Sequence, residues 1–252
     1  MTTIISVFNQ SGGVGKTTIT HNLSYHLAVK EQKVLAIDLD PQASLTSFMG
    51  LTPQDLTETV YRSLVDNVPL PRHSKIHHVN LDLVPASIQL SAAEKQLVTL
   101  VMRELRLKNA IVPFLKEYDF ILIDCPPSLG ILSILSLVAS THVLVPIQTQ
   151  SKAFEGTDLL LKTVSEIRQL ANPTLNFAGF IPTIYDRRTS HQYQVNQSIG
   201  EQLSALATVY APLPYTTVFP DASQRRLPLA LYRPSHPAVV TLCSIAEGLM
   251  KL

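Results

Sequence analysis

The stretch Asn9-Gln10-Ser11-Gly12-Gly13-Val14-Gly15-Lys16-Thr17-Thr18 joins an apolar run, Ile4 to Phe8, to a segment of helical periodicity, and it constrains the chain more than any other feature. Glycines at 12, 13 and 15 let backbone N–H groups turn inward and approach an anion closely. The free amides of the helix that follows add the positive end of its dipole. In such a loop Lys16 reaches the β- and γ-phosphates of a nucleotide and the Thr17 hydroxyl ligates Mg²⁺. Three fixed glycines followed by Lys and Ser/Thr arise by chance at roughly 10⁻⁶ per start position. The plain alternative, a glycine turn that merely opens a helix, is disfavoured by the strand–loop–helix setting. The predicted phosphate-binding set is therefore Ser11, Gly12, Gly13, Val14, Gly15, Lys16, Thr17 and Thr18.

The rest of the chain supplies a sheet to hold that loop. Strands are predicted at Ile4–Phe8, Lys33–Ile37 (ending at Asp38), Leu81–Pro85, Phe120–Ile123 (ending at Asp124), His142–Ile147 and Phe177–Ile184. Helices are predicted from Thr17 to about Lys30, with Ile19, Leu23 and Leu27 on one face, and from Ser91 to about Leu107, with Leu97, Leu100, Val101 and Leu105 as its stripe. A further helix runs from about Phe154 to Leu170, and a last one follows an irregular, Pro-rich surface excursion at Ala211–Pro237. Runs such as Phe120–Ile123 are apolar at both alternate positions, so both sheet faces are buried. The fold class is α/β: one domain, residues 1–252, with a mostly parallel, doubly wound sheet and helices on both faces.

Composition narrows the function classes. Hydrophobic residues make up 46% and charged residues 15%, enough for a core on both faces of a sheet. The formal charge is +1, so a nucleic-acid partner requires a local basic patch. Two cysteines, Cys125 and Cys243, form neither a disulfide framework nor a metal-ligand spacing, and Cys125 reads as a packing residue. No apolar run reaches the roughly 18 residues that span a bilayer, and the expected compartment is the cytosol.

The loop departs from the general phosphate-loop pattern, with Gln10 where a glycine is usual. That departure, the double glycine and Thr18 resemble the deviant Walker A loops of the ParA/MinD superfamily of ATPases. The resemblance extends to Asp38-Leu39-Asp40-Pro41-Gln42, to Asp124-Cys125-Pro126-Pro127, and to the segments Tyr185–Thr189 and Thr217–Asp221. It implies ATP and Mg²⁺ as cofactors, with Asp40 positioning the attacking water. Asp38 becomes a metal-shell or switch residue, Asp124 a Walker B carboxylate holding Mg²⁺ through water, and Pro220 and Asp221 contacts to the base. Arg187 and Arg188 read equally as adenine-side residues or solvated surface.

Members of that superfamily dimerise around two nucleotides, each loop normally carrying a lysine immediately before Gly-Gly. Here that position is Ser11. A cation used on the phosphates can be worth about 10³–10⁵ in rate, so either the ATPase is weakened or a cation arrives from elsewhere. Lys152, in Gln148–Gly156, is the candidate; the alternative is an exposed lysine in a first helical turn, where cations are unfavourable unless an anion is near. Serine at the signature position with a lysine here resembles the McdA-type carboxysome-positioning ATPases. That likeness implies an ATP-bound homodimer, non-specific nucleoid DNA binding and hydrolysis stimulated by an adaptor of McdB type. Arg225, Arg226 and Arg233 are the DNA-binding candidates, with Arg103, Arg106 and Lys108 as a second group. The competing readings are a chromosome or plasmid partition ATPase with the same chemistry, and a weakly active ATP-binding scaffold. A membrane-bound ATPase is disfavoured, because Ala238–Leu252 carries one lysine and no aromatic anchor.

Overall fold

A computed structural model describes residues 1–150 and 156–252. Six strands, β1 (Thr3–Val7), β2 (Val34–Asp38), β3 (Leu81–Val84), β4 (Phe120–Asp124), β5 (His142–Gln148) and β6 (Asn176–Thr183), form one sheet in the order β3-β2-β4-β1-β5-β6. Every pairing is parallel. The chain leaves β1 toward β2 but leaves β4 toward β5, in opposite directions along the sheet. Adjacent strands whose connections diverge leave a crevice at their carboxyl ends, where such sheets bind ligands.

Helices cover both faces, as parallel strands require. In β1, Ile5 and Val7 face one core and Ile4 the other; in β4, Phe120 and Leu122 face the first and Ile121 and Ile123 the second. The first core is closed by α1 (Lys16–Val29) and the terminal helix α11 (Pro237–Leu249). Against the second pack α4 (Leu90–Leu97), α5 (Arg106–Ile111), α6 (Ile131–Ala139), α7 (Thr157–Leu170) and α8 (Ser190–Leu203). Short helices α2 (Ser44–Phe48) and α3 (Val60–Val65) follow β2, while α9 (Val218–Gln224) and α10 (Leu229–Tyr232) precede α11.

The helix α1 is buried almost all round, its polar side chains included. Buried polar groups need partners, and α1 finds several of them, some within its own turns and some far along the chain. Thr20 donates to Lys16 O, His21 pairs with His77 through Nε2 atoms 2.9 Å apart, and Asn22 joins two backbone groups. Burial pushes His21 down to about 3 and His77 down to about 4, so both imidazoles are neutral near pH 7.

Two expectations are overturned. The helix predicted at Ser91–Leu107 is broken: α4 stops at Leu97, Met102 takes a left-handed φ of 51°, and the chain resumes as α5. Val101, assigned to an apolar stripe, is 86% exposed, while Leu107 and Ile111 enter the core instead. The bend lets both halves pack against α3 and α6, α4 mainly on α3 and α5 mainly on α6. The Pro-rich stretch 211–237 is no surface excursion either, since Leu213, Val218 and Leu229 are core residues and the stretch contains α9 and α10.

Candidate active site

The phosphate side is assembled by strand register. Val7 and Asp38 both pair with Asp124 across β1-β4 and β2-β4, so the loop after β1 leaves the sheet beside two carboxylates. Gly13 and Gly15 adopt φ of 74° and 93°, a backbone that only glycine reaches without strain, and Gly15 opens α1. Asn9 braces the loop: its Nδ2 donates to Pro146 O, and its Oδ1 accepts from Ser11 N–H. Lys16 is buried and donates through Nζ to Asn9 O and Ser11 O, each at 2.8 Å. Burial lowers its pKa, against the upward pull of Asp124 and Asp40. A cavity of about 290 Å³ opens here between Gly12, Lys16, Thr17, Asp40 and Pro127.

The three carboxylates differ in how they are held. Asp38 has both oxygens committed to the fold: Oδ1 accepts from Asp40 N–H, and Oδ2 from the Thr46 N–H and hydroxyl. It therefore shapes the turn that carries Asp40, whose own Oδ1 accepts from Gln42 N–H. Asp124 is fully buried; its Oδ1 lies 3.4 Å from the Thr20 hydroxyl, and its Oδ2 has no hydrogen-bond partner among the described residues. Burial first, then the charge on Asp38, hold the Asp124 pKa well above the ordinary carboxylate value, against opposing pulls from Thr17 and Lys16. An orphaned carboxylate oxygen beside Thr17 is what a hydrated Mg²⁺ would satisfy, so the donor set fits that ion. Cys125, next in the chain, is buried against Ser136, and burial pushes its thiol up to about 12, which makes it unreactive.

A second, apolar cavity of about 220 Å³ lies beside Gly13, Gly15 and Thr18. Its walls come from Thr183 and Ile184 at the end of β6 and from Leu213–Thr216, Phe219 and Pro220 of the C-terminal arm. The Thr183 hydroxyl donates to Val14 O at 2.9 Å and keys β6 to the phosphate loop. Pro220 lines the cavity. Asp221 does not: it is exposed one residue further along α9, because the helical step turns it away from Phe219 and Pro220. Leu213–Thr216 escaped the sequence reading, since backbone and apolar surface carry no motif, and Phe219 lies inside the Thr217–Asp221 segment of the resemblance, where only Pro220 and Asp221 stood out as base contacts. Arg188 is tied to Asp186 at 2.8 Å on the surface.

Arg225, Arg226 and Arg233 are all exposed. The Arg225 guanidinium lies 5.7 Å from the Tyr232 ring centre, and Arg226 donates to Gly50 O at 3.1 Å. Arg103 donates to Val98 O and is half-buried, with Arg106 half-buried beside it and Lys108 exposed. Ser11 is half-buried at the loop. Lys152 lies outside the described residues. The neighbouring Gly156 is described, and its carbonyl accepts from Gln10 Nε2 at 3.1 Å. Among the described residues no helix is long and apolar enough to cross a membrane.

Residues 2–177 match a family described as an AAA domain. Sporulation initiation inhibitor protein Soj from Bacillus subtilis is 39% identical over 97% of this chain and 96% of its own. Chromosome partitioning protein ParA from Myxococcus xanthus is 39% identical over 78% of this chain and 70% of its own. Among solved structures, cobyrinic acid a,c-diamide synthase from Mycobacterium smegmatis, with bound ADP and magnesium, superposes with a TM-score of 0.86 at 32% identity, covering 100% of this chain and 95% of that one. An ATP complex of McdA from Cyanothece superposes with a TM-score of 0.89, covering 100% and 97%, but at 22% identity. At that identity the likeness is one of fold.

Proposed function

This chain belongs to the AAA-domain family that includes the Soj and ParA proteins, and we propose that it is a partition-type ATPase whose ATP-bound homodimer holds non-specific DNA and lets go on hydrolysis. The observation that carries the ATPase part is the strand register that gathers the glycine loop, Asp38 and Asp124 at one sheet edge, with Asp40 on the turn above. Partition is preferred to carboxysome positioning as the cargo class because 39% identity to Soj and ParA outweighs a likeness of fold to McdA.

In this reading the loop amides of 12–18 and Lys16 cradle the phosphates, and Thr17 with Asp124 would hold a hydrated Mg²⁺, which would supply charge neutralisation at the phosphates. Lys16 exchanges its contacts with Asn9 O and Ser11 O for phosphate oxygens. Asp38 positions the turn, and Asp40 orients a water and takes its proton at the carboxylate. The Gln42 contact fixes the carboxylate for that task. Phe219 and Pro220 take the base. Arg225, Arg226 and Arg233 supply a phosphate-binding patch for DNA, whose affinity falls steeply with salt.

A DNA-retention assay in low salt tests the whole cycle. Asp40→Ala should remain on DNA in ATP while turnover drops about 10²–10⁴-fold. Reversing Arg225 and Arg226 in that background should release it. Rapid turnover by Asp40→Ala would overturn the water-positioning role, and retention despite charge reversal would overturn the patch.

Ser11 favours a second reading, in which a McdA-type positioning ATPase draws its phosphate cation from Lys152 and its stimulation from an adaptor of McdB type. Lys152→Ala should then abolish adaptor-stimulated hydrolysis; near-normal turnover would remove Lys152 from the mechanism and this reading with it.

A further inference from the structure

Asn22 stands one helical turn beyond Thr18 and is 3% exposed. Both ends of its amide are used. Nδ2 donates to Thr18 O at 2.8 Å, a local back-bond within α1. Oδ1 accepts, also at 2.8 Å, from the backbone N–H of Leu229, far along the chain. Leu229 is the first residue of α10, whose preceding residue is Pro228, and no side chain of the arm itself caps that helix. A first-turn amide has no partner within its own helix, so α1 caps α10 from across the structure.

This contact matters because of what lies between its ends. The C-terminal arm is fastened at its start to β6 and the residues after it, through Leu213 N–H to Pro182 O and Tyr215 N–H to Tyr185 O. It then passes over the base cavity, presenting Phe219 and Pro220, and is fastened at its far end by Asn22. The cavity therefore has two walls, each keyed to the phosphate-loop module by one polar side chain. Thr183 ties the β6 wall to Val14 O, and Asn22 ties the arm wall to α1. Without Asn22 the arm keeps its core anchors Val218, Ala222 and Leu229 and the Arg226 contact to Gly50 O, but it loses the polar tie to α1 that sets how its wall sits against the base, while the phosphate loop keeps its glycines, Lys16 and Asn9 brace.

We infer that Asn22 is a positioning residue for the base of the bound nucleotide, acting through the backbone of Leu229 to set Phe219 and Pro220 against it. The inference rests on the ATPase reading and adds to it a link between the phosphate-loop helix and the arm that carries Arg225 and Arg226.

The test compares a ligand that has a base with one that lacks it. Binding of Mg·ATP and of Mg·tripolyphosphate is measured by calorimetry, or by displacement of a fluorescent ATP analogue, for wild type, Asn22→Ala and Leu229→Pro. The proline variant removes the N–H from the backbone side together with the buried leucine side chain, and only the loss of the N–H predicts a difference between the two ligands; proline suits a first helical position, and Pro228 already has the extended backbone, ψ 153°, that a following proline demands. Asn22→Ala should weaken ATP by about tenfold, the scale of one buried hydrogen bond with an unmet partner, and leave tripolyphosphate within about twofold. Leu229→Pro should show the same base-dependent loss, and it carries the comparison if Asn22→Ala does not fold. Equal losses for both ligands would mean that Asn22 only supports α1, and no loss for either would mean that the arm holds without it; each overturns the inference. Wild-type protein that binds neither ligand would instead overturn the ATPase reading beneath it.

Discussion

The phosphate side and the base side of the cavity are built in different ways. The phosphate side comes from three adjacent strand ends, β2, β4 and β1, locked in register so that Asp38, Asp124 and the loop after Val7 converge. Its groups are charged or polar, buried, and held by short contacts such as those from Lys16 Nζ and the Thr46 hydroxyl. The base side comes from β6 and an irregular arm, and its surface is apolar side chain and backbone. One half comes from three adjacent strand ends; the other joins the edge strand β6, paired with β5, to an arm, and side-chain ties at Thr183 and Asn22 key the two to the phosphate loop and to α1. Chemistry that must place charge within tenths of an ångström belongs on rigid elements, whereas an apolar base needs only a slot of the right width.

Lys16→Ala gives the sharpest break between the halves. It removes the buried cation of the phosphate side and leaves every base-side wall untouched. Hydrolysis should fall by at least about 10³-fold, with ATP binding greatly weakened while adenosine binding is unchanged. If adenosine binding fell as well, the two halves would not be separable.

The same division decided what could be read from the sequence. The phosphate side was legible because its chemistry forces particular residues into a local spacing: three glycines, Lys16 and Thr17 within six positions, and carboxylates ending apolar runs at Asp38 and Asp124. All six strands were legible for a related reason, since fully buried parallel strands are short apolar runs. The base wall was not. Leu213, Tyr215 and Phe219 sit in a Pro-rich stretch without periodicity, and their role depends on where the arm lands. The helix α6 was missed because Leu and Ser alternate on it with nearly every face buried, Ser136 and Ser140 donating to carbonyls within or just before their own helical turn. The broken helix at 91–107 was misread because Leu97 and Leu107 both belong to the core, but only across the bend at Met102.

Asp124→Asn separates function from stability within the phosphate side. Burial raises the Asp124 pKa in the folded chain, so the ionised form is disfavoured there relative to the unfolded chain. Below about pH 4 the carboxyl is protonated in both states and carries no penalty. As pH rises above that value toward the raised folded pKa, the unfolded chain gives up its proton more readily, and stability is lost. Asparagine has no such loss. The nucleotide-free variant should therefore melt above wild type at pH 7.5, with the difference vanishing near pH 4. Adding Mg·ADP should reverse the order, because the ion neutralises the wild-type carboxylate and finds none in the variant. A variant that melts below wild type at pH 7.5 would mean that Asp124 is already compensated in the folded chain.

Phe219→Ala is the smallest expected effect and probes the base side directly. The ring is half-buried and lines the cavity, but it takes no part in holding phosphate or water. Trimming it removes stacking and apolar contact worth about 1 kcal/mol, which is about fivefold in affinity. That interaction is the same in the ground state and the transition state, so KM should rise by this factor while kcat holds. The phosphate side predicts the opposite partition, since groups that meet developing charge act mainly on kcat. A fall in kcat with Phe219→Ala would mean that the arm closes on the nucleotide during turnover, and that the base wall is part of the catalytic geometry as well as of binding.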